Sequence, residues 1–391
     1  MNTVRCLINS NSAVGLEFAI ASSQAFLDEY DRWLQFGGLI DVTRFPIDSV
    51  RILAPYDFNY LSYASDLFAD NAPDLHELRS TLTSICGEFQ PDVVLCMTEN
   101  SVVTEVFGPD RVLFFERGPL PRWNGRDNYY FDVGGHQRRS LLVDQWERIM
   151  ALPIAEQAAE GLAAEFRARL AGTPIVQDAS GPFRRWLDRA APGRKVAIIA
   201  HQPGDSLLVA GSAAALAPDQ LVMKVGAELP KDWVAVSTYH ADIAAFAEGD
   251  EYLARLCPNV LALPPQFRSL GTDPLSGEVD AVITVGSKAA FPAALLGKPV
   301  VTLGQCMMRR LGCEKIADLD AAQGLSPVQA GKVLAFLSNR YTMSFEDCFE
   351  RSGYFAGFLQ RFLRAPDKVE FMFDMADWTP ARLGYLFGDP C

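Results

Sequence analysis

The stretch VDAVITVGSKAAFPAALLGKPVVTLGQ, residues 279–305, decides the fold class. An apolar run ends at Gly286-Ser287, the helical stretch AAFPAALLG follows, and a second apolar run, PVVTLG, starts directly behind it. Strand, tight turn, helix and strand in that order form the repeating unit of a parallel sheet, and strands without polar alternation belong to a sheet covered on both faces. Upstream, KVAIIA (195–200), DWVAVSTY (232–239) and NVLALP (259–264) read as three more such strands, with helical patterns between most of them. The first third of the chain repeats the alternation. It carries VRCLIN (4–9), a helical pattern from Leu16 to Phe36, SVRILAP near position 50, a helix around Asp74 to Phe89, DVVLCM (92–97) and RVLFFE (111–116). A loop rich in Gly, Pro and Arg comes next, then a long helical region from about Arg139 to Leu170.

Between the two series, residues 171–193 hold three prolines and three glycines, a composition that reads as a domain boundary. The end of the chain reads as helical, SFEDCFERSGYFAGFLQRFLRA being its clearest run. The expected architecture is α/β, with a Rossmann-like domain over 1–180, a second Rossmann-like domain over 194–340, and C-terminal helices over 341–391 packing back across them. No GxGxxG follows any strand and GxxxxGK[ST] is absent, which disfavours dinucleotide-dependent oxidoreductases and P-loop kinases. Nucleotide-sugar transferases of the GT-B type share the two-halved pattern.

At 391 residues the chain is long enough for two or three domains of about 150 residues each. Lys and Arg number 35 against 48 Asp and Glu, a formal charge of −13 that argues against nucleic acid as a partner and, on average, against lipid headgroups. With 49% hydrophobic and 21% charged residues, the composition is that of a folded globular protein rather than a disordered one. No apolar run approaches the roughly 18 residues needed to span a bilayer, and MNTVRCLINSNS lacks the pattern of a signal peptide, so the expected location is the cytoplasm. Eight cysteines without a CxxC pair read as buried free thiols.

Ligands of open parallel sheets bind beyond the carboxyl ends of the strands, so the residues there are the candidates. HQPGDS places His201, Gln202 and Asp205 on a tight turn after KVAIIA, and Asp205 reads either as a site carboxylate or as the cap of a helix starting near Ser206. His240 follows DWVAVSTY, where an imidazole could meet a phosphate or serve structurally. Gly286 permits the strand-to-helix turn, and Ser287 and Lys288 open the helix, where amides, hydroxyl and ammonium favour an anion. An N-cap serine accounts for part of that pattern. At the end of RVLFFE, Glu116 beside Arg117 could be held ionised, act as a general acid, or form a structural ion pair. Arg122, Trp123 and Arg126 suit an anionic or sugar ligand, or an exposed loop. Asp318-Leu319-Asp320 has the DxD spacing of metal-dependent sugar transferases but lies outside a strand-end turn, and no HExxH occurs, so no metal is expected. The doublets Arg138-Arg139 and Arg309-Arg310 read as solvated surface or, alternatively, as contacts to a membrane or polyanionic glycan.

Taken together, these segments resemble the capsule polysaccharide biosynthesis glycosyltransferases, particularly the bacterial β-Kdo transferases. ERGPLPRWNGRDNYYFDVGG (116–135) is similar to the family's E-x-G loop, HQPGDS to its Q-x-x-D turn, TYH (238–240) to its histidine strand end, and residues 279–305 to its serine-containing strand-helix-strand segment. The matches run from about Val112 to Gln305, roughly half of the chain. The resemblance implies a GT-B arrangement and a metal-independent, retaining transferase that moves a Kdo-like sugar from a CMP-activated donor, CMP-Kdo, to a glycan or lipid-linked acceptor. No cofactor beyond the nucleotide sugar is implied. A lipid-linked acceptor implies peripheral contact with the inner membrane. By position, Asp205 is the implied nucleophile and Glu116 the acid/base; His240, Gly286, Ser287, Lys288 and Gln202 hold the nucleotide. Arg117, Arg122, Trp123 and Arg126 contact acceptor or sugar, in the domain over 1–180. Two positions depart from the family: Ala241 stands where a proline is usual, and Phe291-Pro292 where the helix normally carries a glutamate. A UDP- or GDP-sugar donor, or a non-catalytic glycan-binding or assembly protein on the same shell, are the alternatives.

Overall fold

The structure is a computed structural model. It describes residues 4–9, 40–43, 54–57, 62–63, 66, 75–96, 99, 101–120, 128–135, 137–202, 218–238, 256–344, 347–348 and 354–387. The fold is mixed α/β with two sheets. The first part of the chain forms β1 (Val4–Asn9), β2 (Ile40–Thr43), α1 (His76–Phe89), β3 (Val93–Cys96), α2 (Ser101–Phe107), β4 (Val112–Arg117), β5 (Asn128–Asp132), α3 (Glu156–Gly172) and α4 (Pro174–Ala190). There follow β6 (Lys195–Ala200), α5 (Pro218–Glu228), β7 (Trp233–Thr238), β8 (Val260–Ala262), β9 (Ala281–Thr284), α6 (Phe291–Leu295), β10 (Val300–Thr302) and α7 (Pro327–Phe336). The chain ends with β11 (Thr342–Ser344), α8 (Tyr354–Arg364), α9 (Lys368–Phe373) and α10 (Ala381–Leu386).

Contacts divide the chain into two units, one of Met1–Gly118, Asp127–Leu141 and Ser338–Thr379, the other of Pro119–Arg126, Leu142–Leu337 and Pro380–Cys391. The stretch read as a linker is helix α4. Val176, Ala179, Phe183 and Leu187 lie on one face of it and are buried, and that apolar stripe outweighs the cost of Pro182 inside the helix. The long helical region after Arg139 is broken instead: short helices at Leu141–Asp144 and Trp146–Met150 precede α3, and Pro153 lies in the gap.

The first unit's sheet has the order β11-β5-β4-β3-β1-β2. Strands β1 to β4 pair in parallel, whereas β5 runs antiparallel to β4 and β11 antiparallel to β5. On α1, Leu78, Leu82 and Ile85 recur at helical spacing and are buried with Val102 and Val103 of α2 against Val94 and Phe114 of the sheet. The helix stops at Gln90, in the left-handed region at φ 48°, whose N–H returns to the Cys86 carbonyl. Elsewhere in the unit Phe131 packs on Phe355 and Phe358 of α8, with ring centroids 5.3 and 5.7 Å away. Lys368 Nζ closes α8 by donating to the carbonyls of Phe362, Leu363 and Ala365.

The second unit's sheet is wholly parallel, in the order β10-β9-β6-β7-β8. Ala197, Ile199, Ala235 and Ile283 share a buried cluster with Leu221, Val222 and Val225 of α5. Helix α6 shows why its sequence reads LLGKPVV: Lys298 N bonds to Ala293 O and Gly297 N to Ala294 O, with Gly297 at φ 78°. That pair of bonds ends the helix and turns the chain into β10, and only glycine adopts the conformation cheaply. Helix α7 starts on a capping box, Ser326 Oγ accepting from Gln329 N and Gln329 Oε1 from Ser326 N. Gly331 of α7 lies so close to α3 that a Cβ would stand 1.9 Å from the Ala159 carbonyl oxygen.

Candidate active site

In sequence order the second sheet reads third, second, first, fourth, fifth, so the chain leaves β6 to one side and returns to its other side at β9. The switch point therefore lies between the carboxyl ends of β6 and β9, where open α/β sheets bind ligands. His201 and Gln202 follow β6, and Gly286 and Ser287 follow β9. The structure brings these turns together: a Cβ on Gly286 would meet Gln202 Oε1 at 3.5 Å and Cys306 Cβ at 3.1 Å, so glycine is what lets the two turns approach. Burial pushes the Cys306 thiol up to about 12, leaving it protonated and inert.

Hydroxyls fringe this edge. Thr302, Thr284, Ala200 and Thr238 stand in one row across β10, β9, β6 and β7. Thr284 Oγ1 donates to Ala200 O at 2.8 Å and accepts from Ser287 N at 2.9 Å, tying the β9 turn to the end of β6. Thr238 Oγ1 donates to Ile199 O at 2.8 Å and shares a hydrogen bond with Thr272 Oγ1 at 2.7 Å. His201 Nε2 lies 2.8 Å from Ser237 Oγ, and burial pushes this imidazole down to about 4, so it is neutral at physiological pH. His201 Nδ1, Gln202 Oε1 and Thr302 Oγ1 are buried without a hydrogen-bond partner among the described residues. Buried polar atoms left in that state at a switch point are suited to a ligand rich in hydroxyl and amine groups. Ser287 Oγ accepts from Ala289 N at 3.4 Å, as an N-cap does, and Lys288 opens the turn that leads into α6.

In the first unit, Gly118 at φ 100° closes the β4–β5 hairpin, its N–H bonding to Asn128 O at 2.9 Å. Register then sets Glu116 opposite Tyr130 and Arg117 opposite Tyr129. Tyr130 Oη donates to Glu116 Oε2 at 3.0 Å. Behind the hairpin lies Asp132, fully buried, which accepts from Gly134 N, Gly135 N, Ser140 Oγ, Leu141 N and Tyr341 Oη at 2.8 to 3.3 Å. Burial nonetheless pushes its carboxyl up to about 6. Glu99, just beyond β3, accepts from Gln137 N at 2.7 Å and Arg139 N at 3.3 Å, with Arg138 Nε 3.6 Å away, and burial pushes it up to about 7.

Asp205, His240, Ala241, Arg122, Trp123 and Arg126 lie outside the described residues. Sequence reasoning passed over the strand-end hydroxyls, although VAVST, AVIT and VVT each end in one. It also passed over Glu99, Asp132 and Tyr341, which only the tertiary fold brings together. Asp320 of the DxD triplet is bound by Lys195 Nζ and by Trp233 Nε1, both at 2.8 Å. Among the described residues no group of three or more His, Cys, Asp or Glu could hold a metal ion, and no helix is long and apolar enough to cross a membrane.

No model of a known protein family matches the chain, and no curated protein matches it. Among solved structures it is similar to the β-Kdo 2,7 transferase of Thermosulfurimonas dismutans KpsC, at 13% identity and a TM-score of 0.47, over 92% of this chain and 99% of that one. The β-Kdo 2,4 transferase of the same KpsC gives 13% identity and a TM-score of 0.36, over 93% and 98% of the two chains. A UDP-GlcNAc 2-epimerase from Neisseria meningitidis bound to UDP-GlcNAc gives 14% and 0.33, over 93% and 100%. Overlaps this loose carry no argument about activity.

Proposed function

We propose that the protein is a glycosyltransferase of surface or capsular polysaccharide assembly, moving a Kdo-like sugar from a CMP-activated donor to a glycan or lipid-linked acceptor. The observation that carries this reading is the switch point of the second sheet, where Gln202 and the Gly286-Ser287 turn meet among strand-end hydroxyls. Neutral hydrogen-bonding groups at that edge suit the hydroxyls and amine of a nucleoside, and Lys288 supplies positive charge for its phosphate. The motif resemblance adds the roles of the other residues. In the first step the Asp205 carboxylate bonds to the anomeric carbon as the carbon–oxygen bond to phosphate breaks and CMP departs with the electron pair. In the second, an acceptor hydroxyl attacks that carbon, its proton passes to Glu116, and Asp205 leaves as a carboxylate, with net retention. Phosphate is a leaving group that needs no proton, so Glu116 serves chiefly as the base. His240 holds the phosphate, and Arg117, Arg122, Trp123 and Arg126 contact sugar or acceptor. A soluble enzyme acting on lipid-linked acceptors would work in the cytoplasm at the inner membrane face.

Phe291 and Pro292 are buried in the first turn of α6, so no carboxylate reaches a ribose from that turn. This favours testing UDP- and GDP-sugars beside CMP-Kdo. The decisive experiment is intact-mass analysis after incubation with CMP-Kdo alone, with release of CMP followed in parallel. The wild type should gain one sugar residue and Asp205→Asn none, while Glu116→Gln should form the adduct but turn it over about a thousandfold more slowly. An adduct from a UDP- or GDP-sugar would reassign the donor. Neither adduct nor nucleotide release from any donor would leave the non-catalytic glycan-binding shell.

A further inference from the structure

The β4–β5 hairpin does more than expose Glu116 at a strand end. Tyr130, directly opposite in the register, is also paired across β5 with Thr342 of β11, so its backbone sits inside a three-stranded antiparallel ribbon. Its ring stacks on Tyr341 with centroids 5.5 Å apart and planes 13° from parallel. Tyr341 is itself fixed, donating to Asp132 Oδ2 at 2.8 Å and lying 3.0 Å from Ser140 Oγ. Burial, chiefly, pushes both phenols well above their ordinary range, so Tyr130 keeps its proton and meets the Glu116 carboxylate as a donor. Among the described residues, Tyr130 is influenced by Glu116, Tyr341 and Asp132, and Tyr341 in turn by Asp132 and Glu99, with Arg117 next along β4.

We propose that Tyr130 is the positioning residue of Glu116: its phenol, immobilised by β11 and by the stack on Tyr341, hydrogen-bonds Glu116 Oε2, fixing the carboxylate in one orientation and favouring its ionised form. The functional weight of this rests on the reading of Glu116 as the acid/base. A donor to a carboxylate oxygen stabilises the charged form, and the charged form is what can take the proton of an acceptor hydroxyl.

The test uses the full chain labelled with carboxyl-¹³C glutamate, the Glu116 resonance being the one lost in Glu116→Gln. Tyr130→Phe keeps the ring and the stack but removes the donor, and should raise the Glu116 titration midpoint by about one pH unit. Tyr341→Phe removes the hydroxyl on Asp132, keeps the Tyr130 donor, and should leave the midpoint in place. Thermal midpoints of both variants show that they are folded. The acid limb of sugar turnover should move with the Glu116 midpoint in Tyr130→Phe. An unmoved midpoint in Tyr130→Phe, or equal shifts in both variants, overturns the proposal. If Glu116→Gln turns over the sugar at the wild-type rate while the Tyr130→Phe shift is present, the acid/base reading falls and the positioning contact stands, so the two failures are distinct.

Discussion

The two sheets bury polarity in opposite ways. In the first unit, ionisable groups sit inside: Asp132 is sealed beneath five donors, and Glu99 is held by the amides of Gln137 and Arg139. In the second, the carboxyl edge of the sheet carries neutral groups, the threonines of β7, β9 and β10 and the uncharged His201, some with atoms still unpartnered. The buried carboxyl groups of the first unit therefore serve as structural hydrogen-bonding centres. Asp132 joins Ser140 and Leu141, where the chain departs for the second unit, to Tyr341, just after it returns at Ser338. The edge formed by the neutral groups of the second unit avoids burying charge, and its unpartnered atoms carry a desolvation cost that a hydrogen-bonding ligand would relieve.

Four perturbations can break or sharpen this contrast. The largest effect belongs to Asp132→Ala, which deprives five donors, most of them buried, of their acceptor and should cost about 4 kcal/mol in urea unfolding. If it costs no more than a hydroxyl deletion in the second unit, the contrast fails. Gly331→Val tests apolar packing instead, forcing a side chain against the Ala159 carbonyl, and should cost about 3 kcal/mol by the same measurement. Thr284→Val removes the link between the β9 turn and Ala200 at constant shape, and about 1 kcal/mol should be lost. The fourth perturbation is pH. Asp132 and Glu99 have folded-state values raised by burial to about 6 and about 7, so the stability they contribute is complete below their unfolded values and lost as pH rises through that window. The urea midpoint should fall between pH 5 and pH 8, and Glu99→Gln should flatten that fall.

Apolar strands were legible because burial on both faces favours unbroken apolar runs, as in the five buried residues that follow Lys195 in β6; β1 coincides with the run VRCLIN. Strands β5 and β11 were not, because NYYFD sits in a segment punctuated by Gly, Pro and Arg, and TMS is only three residues long. Helix α4 was hidden by its prolines, which composition weighs more heavily than the buried stripe of Val176, Ala179, Phe183 and Leu187. At the site, the Gly286-Ser287 turn announces itself because a strand must end there before a helix can begin. The partnership of Glu116 with Tyr130, fourteen positions apart, is set by hairpin register, which no local pattern encodes.

The most direct test of the account is calorimetric titration of the purified chain with CMP, UMP and GMP. The proposed nucleotide edge of the second unit should bind CMP, about tenfold more weakly in Gln202→Ala and unchanged in Glu116→Gln, since Glu116 is proposed as the acid/base and not as a nucleotide contact. Failure of the wild type to bind any of the three nucleotides, or weakening by Glu116→Gln with none by Gln202→Ala, would contradict it.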